Sequence, residues 1–247
     1  MRKMAYLGRR PNLLDELKTV LIISPHPDDE VFGCGGLLAG RTYKGSRTDI
    51  LFLTNGEASH KGCCTMPEKD VVTMRRRLAV SANEILSVPQ ERLHFLEERD
   101  GELPRKDQDG FIHMTEKISA YLEKSAPEAV FCPHPFEGWT DHIAAGELTR
   151  AAITMLPKRS KLYYYCVWFW YSMPLMKALS IDWQRAYLLD ISTRFPLKRQ
   201  AMRIYLDALA PCGHPWVGKL PPQFLRAFDW DKELFFEADI ETLAKGK

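Results

Sequence analysis

Four side chains that could carry chemistry lie within five residues of one another near the start of the chain. In the stretch SPHPDDE, His26 is followed by Pro27 and then by Asp28, Asp29 and Glu30. Imidazole and carboxylate groups bind zinc and also transfer protons. Capping of the helix that follows would explain one carboxylate, but not three beside a histidine. The stretch therefore indicates a catalytic or metal-binding loop.

A second stretch with the same kinds of side chain occurs farther along the chain, in PHPFEGWTDHIAAG. A catalytic zinc site uses three protein ligands drawn from His, Asp and Glu and leaves one position open for water. His26 and Asp29 could supply two of these ligands from one loop. The third would come from His134 or His142, and the residue types alone leave that choice open.

The order of strands and helices predicts that both stretches lie at the same edge of a sheet. Apolar runs predict buried strands at 18–24, 48–56, 92–96 and 128–135. Helical spacing of apolar residues predicts helices at 31–44, 68–86, 111–122 and 143–155. This alternation favours an α/β fold, a Rossmann-like three-layer sandwich with a mostly parallel sheet and helices on both faces. Such sheets bind ligands beyond the carboxyl ends of their strands.

The last third of the chain gives weaker signals. The stretch RAYLLDIS predicts one more strand, and residues 201–209 have the spacing of a last helix. The tail from Pro211 is rich in proline and aromatic residues and is expected to be irregular. Because no repeat or linker is evident, residues 1–247 are interpreted as a single domain with its core at about 18–210.

One segment, YYYCVWFWY at 163–171, has seven aromatic side chains in nine residues. If it were a strand, alternate residues would face opposite sides. One set of side chains would fill the core. The other set includes Trp168 and Trp170 and is expected to line the pocket or a subunit interface, because large exposed apolar patches are uncommon on soluble monomers. Burial of both faces within one monomer, typical of a central parallel strand, is the alternative.

The overall composition excludes several other classes of protein. A net charge of +2 gives no indication of nucleic-acid binding. The apolar segment 163–181 contains Pro174 and Lys177 and is not expected to span a membrane, and the N-terminus has no apolar stretch typical of a signal peptide. None of the six cysteines is paired as C-x-x-C, so we expect a reduced, cytoplasmic setting rather than a disulfide framework.

The two histidine-bearing stretches resemble the motifs of the PIG-L/LmbE family of zinc-dependent N-deacetylases. SPHPDDEVFGCGG is similar to the family signature, and PHPFEGWTDHIAAG is similar to its closing metal motif. The stretches LTNGEAS, LHFLEERDGEL and DISTRFPLKRQAMRIY extend the resemblance over about 18–209, with Asn55 where Asp is common. The resemblance implies one Zn²⁺ per chain, bound by His26, Asp29 and His142, although Fe²⁺ could occupy the same ligands.

The resemblance also implies roles for four further residues. Asp28 would be the general base, and Asp141 would hydrogen-bond and tune a nearby imidazole, unless it only caps a helix. Arg75 and Asp100 would contact the substrate. For Asp100, a simple Asp-Gly turn is the alternative.

Two positions depart from the family pattern. Trp139 stands where the family often has a histidine assigned to oxyanion stabilisation or proton donation, and an indole has one N–H donor and no titratable proton. Either Asp28 handles both proton transfers, or His134 or His214 substitutes. In the long second helix, Leu78 stands where the family favours a glutamate after Arg75.

Together these observations predict a hydrolase that removes an N-acyl group from a small N-acylated amino sugar or glycoconjugate. Acetyl is the favoured acyl group. The sugar is implied by the resemblance alone. The alternatives are an amidase for a non-sugar amine and a metal- or glycan-binding member of the family without turnover. A nucleotide-binding oxidoreductase is disfavoured, because Gly33, Gly35 and Gly36 do not fit G-x-G-x-x-G and carboxylates precede them. A homo-oligomer is left open.

Overall fold

The computed structural model describes residues 5, 16–43, 46–157, 160–172 and 179–239. The strands are β1 (Thr19–Ser24), β2 (Arg47–Thr54), β3 (Leu93–Glu98), β4 (Ala129–Pro133), β5 (Lys161–Tyr165), β6 (Ala186–Asp190) and β7 (Lys232–Glu237). The α-helices are α1 (Asp29–Tyr43), α2 (Glu68–Ile85), α3 (Phe111–Ser125), α4 (Thr140–Met155), α5 (Phe169–Ser172), α6 (Phe195–Asp207) and α7 (Pro222–Leu225). Short 3₁₀ turns lie at Glu57–His60, Gln90–Arg92, Trp183–Arg185 and Arg226–Phe228.

The seven strands form one sheet in the order β3-β2-β1-β4-β5-β7-β6. The first five strands in this order run parallel to one another, while β7 is antiparallel to both β5 and β6. Strand order reverses at β1, whose two neighbours are β2 and β4. The predicted α/β fold with a mostly parallel sheet is confirmed.

Helices cover both faces of the sheet, as the apolar strands require. Side chains of α1, α2 and α6 pack with Val20 and Ile22 of β1 in one apolar cluster. Side chains of α3 and α4 pack with Leu21 and Ile23 in the other. Alternate residues of one strand therefore serve opposite layers, which fixes the three-layer architecture.

The predicted irregular tail is wrong for residues 232–237, which form β7 between β5 and β6. Within β7, the buried carboxylate of Glu233 accepts backbone N–H bonds from Gly36 at 2.7 Å and Leu37 at 2.8 Å. It also pairs with the buried ammonium of Lys198 at 2.6 Å. The ordered core thus extends well past residue 210 and joins the tail to α1 and α6.

Two other boundaries differ from the prediction. The aromatic segment is a strand only as far as Tyr165, and its second half turns into the short helix α5. Helix α6 begins at Phe195 rather than 201, with proline in its first turn, where the missing N–H costs nothing.

Pro174 and Lys177 lie outside the described residues, as does most of the N-terminal stretch. Among the helices that are described, none is long and apolar enough to cross a membrane.

Candidate metal centre

The two predicted motifs meet at the carboxyl edge of the sheet. His26, Asp28 and Asp29 follow β1, while Asp141 and His142 lie in the first turn of α4, after β4. They meet because β1 and β4 are direct neighbours in the sheet. The reversal of strand order at β1 is the position at which open α/β sheets bind ligands.

One oxygen of Asp29 lies between two imidazole rings. Its Oδ2 is 3.1 Å from Nδ1 of His26 and 3.2 Å from Nε2 of His142. These three atoms form a group compact enough to hold one metal ion. The structure thus brings together the three residues that the resemblance implies as ligands.

Carboxylates hold the outer nitrogen of each ring. Nε2 of His26 lies 3.1 Å from Oδ1 of Asp100 and 3.3 Å from Oδ2 of Asp141. Nδ1 of His142 lies 3.1 Å from Oε2 of the fully buried Glu137. A histidine that binds metal usually donates its other N–H to a carboxylate in this way. The arrangement leaves Nδ1 of His26 and Nε2 of His142 as the ring nitrogens available to a metal ion.

A metal ion fits this group because one buried ring nitrogen has no hydrogen-bond partner among the described residues. Nε2 of His142 is buried and, although it lies near Asp29, makes no hydrogen bond with any group in the described part of the chain. A buried polar atom without a partner is costly, so such an atom calls for an explanation. Coordination of a cation shared with Asp29 and His26 would satisfy it. Two imidazoles and one carboxylate suit zinc, and also iron(II).

The carboxylates around the two histidines stabilise positive charge at this group, as the pKa shifts of its members show. Burial alone would raise the pKa of Asp29, but His142 and His26 bring that pKa well below its usual value. Burial alone would lower the pKa of His142, but Asp29 and Glu137 raise it to about 9. Burial likewise opposes the charged form of His26, yet its carboxylate neighbours raise its pKa well above the usual value. A divalent cation would supply the same compensation.

Asp28 points to a different partner. Its Oδ1 lies 3.1 Å from Nη2 of the buried Arg75, and burial raises its pKa to about 7 despite that guanidinium. Its backbone has φ 154°, which is rarely populated by residues with side chains. Its backbone N–H donates to Glu30 at 2.9 Å. Glu30 is itself held by Asn83 at 2.9 Å and Tyr205 at 2.7 Å.

A cavity of about 130 Å³ opens above these side chains. Its polar floor is formed by His26, Asp28, Asp29, Arg75 and Asp100, and its wall includes Trp139, Trp168, Val217, Leu220 and Phe224. Trp139 is 49% exposed and stacks on Trp168, with ring centroids 5.3 Å apart and an interplanar angle of 16°. The prediction that the aromatic segment contributes to the pocket wall is confirmed for Trp168. Trp170 packs against Phe169 and Trp230 instead.

Both predicted substrate contacts lie at the cavity but also have structural partners. Arg75 donates from Nη2 to the carbonyl of Pro27 at 2.8 Å and to Asp28 at 3.1 Å. Asp100 accepts the backbone N–H of Ala58 at 2.9 Å, besides its contact with His26. The predicted Asp-Gly turn is present, since the N–H of Glu102 donates to the carbonyl of Arg99 at 3.2 Å, and Asp100 also has these two contacts. Contact with a substrate stays a prediction for both residues.

Asp141 does not cap α4. Its carboxylate accepts the backbone N–H of Gly101 at 2.7 Å and that of Leu103 at 3.3 Å, in the loop after β3. The same side chain faces His26, so the predicted contact with an imidazole is present. Asp141 thus ties the loop that carries Asp100 to the metal centre.

The histidines proposed as substitutes for the family histidine lie elsewhere. His134 is buried among aromatic rings, and burial lowers its pKa to about 3. Its Nδ1 accepts the backbone N–H of Phe136. His214 is not among the residues that line the cavity. Neither is placed to transfer a proton there, and among the described residues His134 belongs to none of the groups that could hold a metal ion.

Sequence reasoning missed Glu137, whose carboxylate holds His142 and the backbone of the segment after β5. Besides holding His142, it accepts backbone N–H bonds from Val167 at 2.8 Å and Phe169 at 3.3 Å. A carboxylate five residues before a candidate metal histidine was the available signal. The need for a carboxylate behind each ligand histidine could have identified it.

Comparison with known proteins agrees with this geometry. Residues 21–153, more than half of the chain, match the family model described as PIG-L, GlcNAc-PI de-N-acetylase. The chain therefore belongs to the PIG-L family, as the motifs indicated.

Two curated relatives and one solved structure are similar over different lengths. The diacetylchitobiose deacetylase of Thermococcus kodakarensis is 30% identical over 143 residues, 57% of this chain and 51% of that one. The probable N-acetyl-alpha-D-glucosaminyl L-malate deacetylase 2 of Bacillus anthracis is 26% identical over 61% of this chain and 66% of that one. The matches thus span between half and two thirds of these relatives. N,N'-diacetylchitobiose deacetylase from Pyrococcus horikoshii has the same fold, with a TM-score of 0.71 at 20% identity, over 98% of this chain and 91% of that one.

Proposed function

We propose that this protein is a metal-dependent N-deacetylase, with zinc as the metal, that acts on an N-acetylated amino sugar or glycoconjugate. The observation that carries the proposal is the shared position of Asp29 between two imidazoles, next to a cavity that Asp28 also lines. The curated relatives are named as deacetylases of N-acetylated sugars, which supports the same reaction and substrate class.

The residues divide into those that hold the metal and one that transfers protons. Zinc bound to His26, Asp29 and His142 would supply a Lewis acid for the amide carbonyl and would lower the pKa of water toward ~7. Asp28 is outside the group of ligand atoms but lines the same cavity, so its carboxylate is free to act as a base.

Asp28 accounts for both proton transfers in this scheme. It takes a proton from the water whose oxygen forms a bond to the acetyl carbon, and it returns that proton to the nitrogen as the C–N bond breaks. Acetate and a free amine are the products. Arg75 holds Asp28 in place, and Glu30 fixes the Asp28 backbone through its N–H.

The aromatic wall of the cavity suits a sugar ring. Trp139 and Trp168 stack on each other and present an apolar surface beside polar groups that can hydrogen-bond hydroxyls, among them Asp100. Small-molecule sites commonly combine such apolar walls with a few placed polar groups. The pairing supports an amino sugar over a purely aliphatic acyl amine.

A second candidate is a family member that binds metal and glycan without turnover. It is favoured by Trp139, which supplies an N–H donor but no titratable proton beside the metal centre. The two candidates differ only in whether Asp28 suffices for proton transfer.

Acetate release separates these candidates. Zinc-loaded protein should release acetate from N-acetylglucosamine, its disaccharide or an N-acetylglucosaminyl conjugate. Asp28→Asn should keep its metal while turnover falls by ~10²–10⁴-fold, the usual contribution of an acid–base group. Asp109→Asn, at an exposed carboxylate, is the matched control and should retain activity. Glycan binding by the wild type without acetate release would instead establish the binding protein.

A further inference from the structure

A second group of metal-binding side chains lies near the surface. It comprises His60, Cys63, Cys64 and Cys212, whose candidate ligand atoms all lie within 4.8 Å of one another. None of these cysteines belongs to a C-x-x-C pair, so the sequence pattern alone predicted only free thiols. Three thiols and one imidazole around a single point form a donor set of the kind that structural zinc sites use.

Five of the six separations among the four atoms are close to those of a tetrahedron around zinc. Bonds of ~2.3 Å to sulfur and ~2.0 Å to nitrogen place the ligand atoms of a tetrahedral site roughly 3.5–3.8 Å apart. Nδ1 of His60 is 3.3 Å from the sulfur of Cys63, 3.7 Å from that of Cys64 and 3.5 Å from that of Cys212. The sulfur of Cys63 is 3.5 Å from that of Cys64 and 4.0 Å from that of Cys212.

Two tight turns present these ligands to one another. In the first, the N–H of Cys63 donates to the carbonyl of His60 at 3.2 Å, and Gly62 between them has φ 85°, a conformation that favours glycine. In the second, Gly213 directly follows Cys212 and has φ 81°, and its N–H donates to the carbonyl of Ala210 at 2.8 Å. The two turns are 149 residues apart at Cys63 and Cys212, so the convergence of four donors is a tertiary feature.

The segments that carry the ligands also border the catalytic cavity. Ala58 and Ser59 precede His60, and Val217 and Leu220 follow the second turn; all four line the cavity. The hydroxyl of Ser59 donates to the carbonyl of Trp216 at 3.0 Å, and the ring of Trp216 lies edge-on to His60. A link at the cluster would therefore hold one side of the cavity rim together.

We propose that His60, Cys63, Cys64 and Cys212 bind a structural zinc ion that clips the C-terminal segment to the turn after β2. All four positions around the metal are filled by protein, as in structural rather than catalytic sites. The soft thiolates select zinc over the hard cations. This site is independent of the proposed deacetylase reaction.

Cobalt substitution distinguishes this site from the first one. Co²⁺ bound by thiolates gives a sulfur-to-cobalt charge-transfer band, whereas His26, Asp29 and His142 offer only nitrogen and oxygen. Metal-free protein reloaded with Co²⁺ should show the band in the wild type and in His142→Ala. Cys212→Ser and Cys63→Ser should lose most of it, while Cys166→Ser, which removes a thiol outside the cluster, should keep it. Absence of the band from the wild type, or its persistence in Cys212→Ser, would overturn the proposal.

Two measurements on proteins that keep all six cysteines make the outcome independent of the cysteine variants. Zinc analysis should give one more equivalent per chain than the catalytic centre accounts for, so His142→Ala should retain one equivalent. Intact mass under denaturing, non-reducing conditions should show every thiol in its reduced form. Zinc-free His142→Ala, or a mass lower by two hydrogens with no bound zinc, would show that the cluster is a set of free or disulfide-bonded cysteines.

Discussion

Oε2 of Glu137 lies 3.1 Å from Nδ1 of His142, and both side chains are completely buried. The other oxygen of the carboxylate accepts the backbone N–H of Val167 at 2.8 Å. One side chain thus orients the imidazole of a proposed metal ligand and also fixes the segment after β5 that carries Trp168. The metal centre and the aromatic wall of the cavity are joined through Glu137.

Replacement of Glu137 by glutamine should weaken metal binding without removing a ligand. The amide cannot act as an anionic acceptor for His142, so zinc affinity should fall by ~10–100-fold, the usual effect of losing such a partner. Competition with a chromophoric chelator measures this affinity. Glu116→Gln, at an exposed position on α3, is the control. Unchanged affinity in Glu137→Gln would show that the carboxylate serves only the backbone of the segment after β5.

Replacement of Arg75 by lysine should lower kcat more than it alters KM. Lysine lacks the planar fork that lets Nη2 hold Asp28 beside the carbonyl of Pro27. Loss of a hydrogen bond to a charged group, ~1.5–3 kcal/mol, corresponds to a fall in kcat of roughly 10–160-fold. Steady-state kinetics distinguish the two roles, with the exposed Arg77→Lys as control. A rise in KM at constant kcat would identify Arg75 as a substrate contact instead.

Replacement of Trp139 by alanine should weaken substrate binding while leaving the metal in place. The stacked pair with Trp168 would lose its outer ring, and a stacking contribution of ~0.5–1.5 kcal/mol corresponds to a rise in KM of about 2–10-fold. Trp139→Phe keeps a ring and should restore most of the binding. A fall in kcat in both variants at unchanged KM would show that the indole N–H acts on the reacting group.

Strong local patterns in the sequence predicted the sheet core, while the ligand set was implied by the family resemblance and stays a prediction. The strands near His26 and His142 are continuous apolar runs, and their motifs lie directly at strand ends. The position of β7 could not be predicted, because KELFFE is short and follows a stretch rich in proline. Glu137 lies only five residues before His142, and the need for a carboxylate behind a ligand histidine could have identified it. The cluster at His60 could not be predicted, because Cys212 is 149 residues from Cys63 and the two meet only after folding.

The buried pair formed by Glu233 and Lys198 should make the late strand β7 important for stability. Glu233→Ala would leave a buried ammonium without its carboxylate and two backbone N–H groups of α1 without an acceptor. Such a loss costs ~3–5 kcal/mol, which lowers Tm by roughly 6–20 °C in a chain of this size. Thermal unfolding followed by circular dichroism measures the change. Asp229→Ala, at an exposed position before β7, should shift Tm little. An equal shift in both variants would contradict a specific role for the pair.

The position of the bound metal tests the central claim most directly. A crystal of zinc-loaded protein, with anomalous data collected at the zinc edge, should show a peak bounded by Nδ1 of His26, a carboxylate oxygen of Asp29 and Nε2 of His142. The zinc-to-ligand distances should be ~2.0–2.2 Å, with Asp28 outside the coordination shell. A peak coordinated by Asp28, by His134, or by Nε2 of His26 together with Asp100 and Asp141 would contradict the account.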